Sequence, residues 1–195
     1  MSKTRTKSDA RQRILETAER LFYAEGVRSV GIDRIIAEAE VAKMTLYNHF
    51  SSKDDLILSV LQYREEKVNE MFARSMERHV KKGMDRLEAF FAALKDWFES
   101  PVFRGCSFIN AAVELADASH PASMFAAEHK RRFHQMLNEI IAEAAGAKAT
   151  SVAPAIGVLV EGAIVTAVVE GNLNAADVAR DAALMLVSKS KTKRK

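Results

Sequence analysis

Apolar residues along most of this chain recur with the period of an α-helix. Ile14, Leu15, Ala18, Leu21 and Phe22 fall on one helical face, Ser8 precedes them as a candidate N-cap, and Gly26 follows as a stop. Ile32, Ile35, Ile36 and Ala39 mark a short second helix, and Glu40–Val41–Ala42 reads as a tight turn. A third short helix is predicted over about residues 43–49, ending near Phe50. Ser52 caps a long fourth helix with Asp54 and Asp55 in its first turn, where carboxylates meet the positive end of the helix dipole. Its apolar positions run through Leu56, Ile57, Val60, Leu61, Val68, Met71 and Phe72, and Gly83 closes it.

Five more helices complete the pattern. The fifth spans about 84–98, before a break at Ser100–Pro101–Val102–Phe103–Arg104–Gly105. The sixth covers about 106–116 and the seventh about 122–145, with Ser119–His120–Pro121 between them. A loop over 146–151 is expected to offer Thr150 or Ser151 as cap to the eighth helix, about 152–170, with Pro154 in its first turn. Gly171–Asn172 stops that helix, and Asn174 caps a ninth over about 175–187. No strand pattern and no internal repeat stands out. The prediction is an all-α fold of about nine helices.

Composition narrows the class. Gly and Pro together number only eleven in 195 residues, too few for a hairpin-rich protein. The single cysteine, Cys106, excludes an intramolecular disulfide and points to a reducing compartment. Met1 to Ser8 is basic, but no apolar run follows it, so no secretory signal is read. The most apolar stretch, Ala155 to Val169, is interrupted by Glu161 and is short for a bilayer span. These features place the protein in the cytoplasm, without a membrane partner. The net charge of +3 is unevenly spread. Lys3, Arg5, Lys7, Arg11 and Arg13 against Asp9 give the first thirteen residues +4, and Lys189, Lys191, Lys193, Arg194 and Lys195 give the last seven +5. The stretch between is acidic overall. A basic arm beside a folded domain suits DNA, and a solvated tail is the plainer alternative.

Two short helices joined by a tight turn within the first fifty residues form a helix-turn-helix layout. The buried face would comprise Ile14, Leu15, Ala18, Leu21, Phe22, Ile35, Ile36, Ala39, Val41, Leu46 and Phe50. Lys43, Met44, Thr45, Tyr47, Asn48 and His49 then remain outside on the third helix. Hydrogen-bond donors, a methyl-bearing threonine and an aromatic ring make sense in a major groove. Ile14–Leu15–Glu16–Thr17–Ala18–Glu19–Arg20–Leu21–Phe22, Gly26, Ile36–Ala37, Thr45–Leu46–Tyr47–Asn48–His49–Phe50 and Ser52–Lys53–Asp54–Asp55–Leu56 resemble the N-terminal domain of TetR-family transcriptional repressors. The motif-level resemblance covers roughly residues 9–57. Two positions depart from the family pattern: Glu40 stands where Gly is usual in the turn, and Ala42 where Ser or Thr would cap the third helix.

The resemblance implies that Tyr47, His49 and Lys53 contact phosphates, and that Lys43, Met44, Thr45 and Asn48 face base edges. Arg28 and the arm residues Arg5, Lys7 and Arg11 are expected to add backbone or minor-groove contacts. It further implies a domain division: a DNA-binding domain over 1–51 with its basic arm, an effector-binding and dimerisation domain over 52–188, and a basic tail over 189–195. The eighth helix is apolar almost all round and must be buried on more than one side. With the ninth it resembles the family's dimer-forming pair, and Gly157, Val160, Ile164, Ala179, Ala183 and Leu186 are the expected interface; closure of a monomeric core is the alternative.

The middle helices are where the family holds its effector. Trp97, Phe98, Phe108, Asn110, Glu114, Phe133 and Glu161 are the expected lining, for an apolar or aromatic small molecule held by a few polar groups. No cofactor is expected, and the histidines lack the spacing of a metal site. The expected function is therefore a ligand-responsive, non-enzymatic repressor, binding a palindromic operator in double-stranded DNA as a homodimer. The competing readings are a helical enzyme or small-molecule binder with a vestigial DNA-binding domain, a thiol-based redox sensor acting through Cys106, and a ligand-independent architectural DNA binder.

Overall fold

The computed structural model describes residues 7–192 and, among them, contains no strand. Its helices are α1 (Lys7–Glu25), α2 (Ile32–Glu38), α3 (Lys43–Tyr47), α4 (Lys53–Lys81), α5 (Arg86–Phe98), α6 (Ser107–Leu115), α7 (Pro121–Ala145), α8 (Ala153–Glu170) and α9 (Ala175–Thr192). The helical periodicity thus foretells every α-helix among the described residues, and the differences are at their ends and in one connecting loop. Ser8 lies inside the first turn of α1 rather than capping it. Arg5 and Lys193–Lys195 fall outside the described residues, while α9 runs past Val187 and takes in the start of the basic tail.

Capping chemistry explains two of the shifts. Asp85, not named as a cap from sequence, accepts the Glu88 N–H at 2.9 Å and starts α5. The expected loop over 146–151 is wound into a 3-10 turn, Ala147–Val152. There Thr150 Oγ1 donates to the Ala147 carbonyl at 2.8 Å and Ser151 Oγ to that of Lys148 at 3.1 Å. Both hydroxyls are spent within the turn, so Val152 occupies the N-cap of α8 with no side-chain bond.

The chain divides into two compact units. One comprises residues up to Lys67 with Cys106–His129, and the other Val68–Gly105 with the residues from Lys130 onward. The first unit is built on the buried face of α1 (Ile14, Leu15, Ala18, Leu21, Phe22), against Ile35, Ala39, Leu46 and Phe50 and the first turns of α4, Leu56, Ile57, Val60 and Leu61. Burying side chains of this size contributes about 1.5–3 kcal/mol each. Ile36 and Val41, expected in this core, are only half-buried, and Val27 and Val30 from the α1–α2 loop are buried with the rest.

The second unit has an aromatic centre. Phe90 meets Phe91 edge-on at 5.3 Å between ring centroids, and Trp97 meets Phe103 edge-on at 4.9 Å. Helix α8 buries Ile156, Gly157, Val160, Ala163, Ile164 and Ala167, while α9 buries Ala175, Ala176, Ala179, Ala183 and Val187. The stretch Ala147–Glu170 is long and apolar enough to cross a bilayer by length and composition. Here its inner stripe is core and its first six residues are the 3-10 turn.

Candidate nucleic-acid interface

Helix α3 is set by the turn before it. The Val41 N–H reaches the Ile36 carbonyl at 3.2 Å and the Glu40 N–H reaches that of Ala37 at 3.3 Å, the paired bonds of a Schellman closure. That closure needs a left-handed residue, and Glu40 supplies it at φ +52°. A side chain in that region costs on the order of 1–2 kcal/mol relative to glycine. Ala42 then stands at the N-cap of α3 in extended conformation with no side-chain bond. Both departures noted in the sequence therefore have a local structural cost.

What fixes α3 is packing: Leu46 is 0% and Phe50 1% exposed. The opposite face is open. Met44 is 68% and Tyr47 41% exposed, with Lys43 and Asn48 also exposed and Thr45 and His49 half-buried. Lys43 Nζ lies 3.4 Å from Asp33 Oδ1 on α2, and the Arg11 guanidinium lies 5.2 Å from the centre of the Phe50 ring. The face thus combines a mobile-length cation, an amide, a hydroxyl and two large apolar groups.

The start of α4 is tied by two bonds that meet at Asp55. Ser52 Oγ accepts the Asp55 N–H at 3.1 Å, and Asp55 Oδ2 accepts the Ser51 N–H at 2.8 Å. Lys53 is half-buried, its Nζ 3.3 Å from the Arg28 carbonyl. Burial pulls its ammonium below the ordinary lysine range, against the opposing charges of Asp54 and Glu114. Arg28 is exposed, yet its Nη2 donates to the Leu115 carbonyl at 2.7 Å. The structure therefore brings Lys53 and Arg28 together beside the end of α6.

Ion pairs that sequence reading missed brace this unit. Arg34 bonds both Glu25 and Glu38, and Arg20 bonds Glu38. Hydrogen bonding to Arg34 holds the Glu25 carboxyl below its usual range, and bonding to Arg20 and then Arg34 does the same for Glu38. Arg64 pairs with Glu19, donates to Ser107 Oγ at 3.2 Å and lies 3.7 Å over the Tyr23 ring. Arg34 and Glu38 stand four apart, an ordinary helical spacing, whereas the other pairs join residues nine or more positions apart.

The expected effector residues fall into two groups. Asn110 and Glu114 line a cleft of the first unit with about 380 Å³ of empty space, part of it open to solvent, among Phe22, Tyr23, Val60 and Arg64. Phe108, in the same unit, is buried and stacks on His129 at 3.6 Å. Trp97, Phe98, Phe133 and Glu161 belong to the second unit. Glu161 Oε1 accepts from Lys130 Nζ at 2.6 Å, and its Oε2 is buried with no hydrogen-bond partner. Cys106 is buried at the N-cap of α6. Among the described residues, no group of three or more His, Cys, Asp or Glu side chains is gathered to hold a metal ion.

The expected dimer residues are placed differently. Gly157, Val160, Ile164, Ala179 and Ala183 are buried inside the protomer, and Leu186 is half-buried. Gly157 is the seat of the His134 ring, whose Cε1 would lie 2.6 Å from a Cβ there. The small residues permit close approach, but to helices of the same chain. Outward-facing instead are Val158, Gly162, Val165 and Val169 on α8, with Val178 and Met185 on α9. An all-round apolar helix has no periodicity to separate its inner from its outer stripe, so sequence alone had no signal for this choice.

Comparison with known proteins gives this geometry its context. Residues 14–60 match the family model for bacterial regulatory proteins of the tetR family, and residues 83–183 match a tetracyclin repressor-like C-terminal domain. The helix-turn-helix regulator SAB2452 of Staphylococcus aureus is 46% identical over 52 residues, which are 27% of this chain and 28% of that protein. The chain thus spans well under half the length of such curated relatives. Among solved structures, SCO4454, a TetR-family transcriptional regulator from Streptomyces coelicolor, superposes with a TM-score of 0.82 at 32% identity, covering 94% of this chain and 97% of that one. A TetR-family regulator from Cytophaga hutchinsonii shares the fold at TM-score 0.78 and 20% identity, over 98% and 100% of the two chains. With residues 14–60 and 83–183 matched and 94% of the chain superposed at 32% identity, the chain belongs to the TetR family of helix-turn-helix transcriptional regulators, proteins that regulate transcription rather than catalyse reactions.

Proposed function

We propose that the protein is a repressor that binds a palindromic operator as a homodimer and is released by a small apolar or aromatic effector. The observation that carries the reading is the outward face of α3, where Met44 and Tyr47 stay in solvent beside Lys43 and Asn48 while Leu46 and Phe50 are buried. Asn48 can pair with adenine, Lys43 with guanine, and the methyls of Thr45 and Met44 with thymine. Tyr47, His49 and Lys53 supply phosphate contacts, Lys53 aided by the N-terminus of α4. Arg28 and Arg11 add backbone contacts at the edge of this face.

One such helix reads a half-site, so two copies acting a helical turn apart are required for a tight complex. The outer stripe Val158–Gly162–Val165–Val169 on α8, with Val178 and Met185 on α9, is the surface we assign to the second copy. It replaces the inner residues expected from sequence. The effector is assigned to the second unit, beside Trp97, Phe98, Phe133 and the unpartnered Oε2 of Glu161, an acceptor that invites a ligand N–H or O–H. Release requires only that the effector bind the DNA-incompetent arrangement better than the competent one. The test is selection and sequencing of genomic fragments retained by the purified protein at near-physiological salt. An inverted repeat common to the retained fragments, occupied by two chains, is expected; uniform retention, or none, would overturn the reading.

A further inference from the structure

The end of α6 holds the loop that holds Lys53. Gly26 closes α1 at φ +94°, and a Cβ on it would lie 2.6 and 2.7 Å from the two Glu114 carboxylate oxygens. The carboxylate therefore occupies the space a side chain would need and would have to leave it for one, while the positive φ favours glycine on its own account. Two residues on, the Arg28 N–H donates to Glu114 Oε2 at 3.1 Å, and Arg28 Nη2 donates to the Leu115 carbonyl at 2.7 Å. Leu115 is the last residue of α6, where carbonyls lack helical partners, so the guanidinium meets a free acceptor. Arg28 in turn gives its own carbonyl to Lys53 Nζ at 3.3 Å. One continuous path of bonds thus runs from α6 through the α1–α2 loop to the start of α4, all within the first unit.

We propose that Glu114 is a positioning residue for DNA binding: it fixes the Gly26–Arg28 loop, and through the Arg28 carbonyl it aims the Lys53 ammonium at a phosphate. The inference rests on the reading of Lys53 as a phosphate contact. It makes a prediction opposite in sign to simple charge. Removing a carboxylate near a DNA-binding face should by Coulomb attraction alone tighten binding; loss of the positioning weakens it.

The test is binding to sheared genomic duplex DNA across a series of salt concentrations, where phosphate contacts dominate. Glu114→Ala is expected to weaken binding roughly tenfold at low salt and to flatten the log–log salt dependence by about one contact's worth, near 0.9. Glu114→Asp keeps the charge but is one carbon short of Arg28, and the same loss is expected. Glu114→Gln keeps an acceptor and restores part of the affinity. In a Lys53→Ala background, Glu114→Ala costs little more, because both act on the same contact. Binding by Glu114→Ala and Glu114→Asp that equals or exceeds the unaltered protein's overturns the proposal, as does a loss that persists in full without Lys53. Should Lys53→Ala itself bind with unchanged affinity and salt dependence, the phosphate role fails and the positioning role with it. If only the Glu114 variants behave normally, the phosphate role stands and the positioning role alone is lost.

Discussion

Helices α3 and α8 both leave large apolar side chains in water, and they do so in opposite company. On α3, Met44 and Tyr47 alternate with Lys43, Asn48, Thr45 and His49, so every apolar group has a donor or acceptor for a neighbour. On α8, Val158, Val165 and Val169 share their stripe with Gly162 and nothing polar. A mixed face is complementary to a surface that itself mixes donors, acceptors and methyls, as base edges do. An unbroken apolar face is complementary only to another of its kind. Exposure alone does not distinguish them; the polar neighbours do.

The contrast can be broken by mutation. The largest effect is expected from Val165→Glu together with Val158→Glu, which places charges where a partner would desolvate them. Sedimentation should then report monomers, and operator affinity should fall by about a hundredfold or more because the second half-site contact is lost. Unchanged mass would sink the assignment of this stripe. Next in size is Asn48→Ala, expected to weaken operator binding by roughly tenfold, as for one lost pair of base contacts, with the oligomeric mass unaltered. A change of mass in that variant would blur the division between the two helices.

Smaller effects concern what holds each region. Glu40→Gly removes a side chain from the left-handed region, and Ala42→Ser supplies an absent cap. Each should stabilise the fold by about 1 kcal/mol, raising the melting temperature by about 2–4 °C. No gain in either variant would show that the turn has relaxed around its present residues. In the second unit, Asp96 is raised by burial but lowered further by hydrogen bonds from Ser75 and His79, so its net shift is below the usual 3.8. A carboxyl depressed in the folded state contributes stability above pH 3.8 that is lost as pH falls through its lower folded value. Asp96→Asn should therefore shrink the stability difference between neutral and strongly acid solution. Melting curves in which the variant and the parent keep the same acid dependence would rule that out.

The legibility of the molecule from sequence follows the same contrast. The α1–α3 core was readable because each helix there is amphipathic: Ile14, Leu21, Ile35 and Leu46 sit at spacings that only one face can satisfy, and that face is buried. The strain at Glu40 was readable because a family pattern marks that position for glycine. The outer stripe of α8 was not, since Val158 and Val160 are identical in kind and only the neighbouring helices decide which is covered. Nor could sequence show Glu114 against Gly26, or Arg64 between Glu19 and Ser107, because those contacts depend on how distant segments meet. Local chemistry was visible; long-range partnership was not.

The first unit is discontinuous in the chain, with Val68–Gly105 intervening between its two pieces. A ribosome makes the two pieces in order, and the residues that close the unit are made only after those of the intervening segment. The nascent chain therefore displays α1–α3 well before Glu114 and Leu115 exist to hold the loop behind them. Helices α1–α3 are made before the residues that complete their unit, so a nascent chain halted after α5 would carry α3 without the bonds that Glu114 and Leu115 make to the α1–α2 loop.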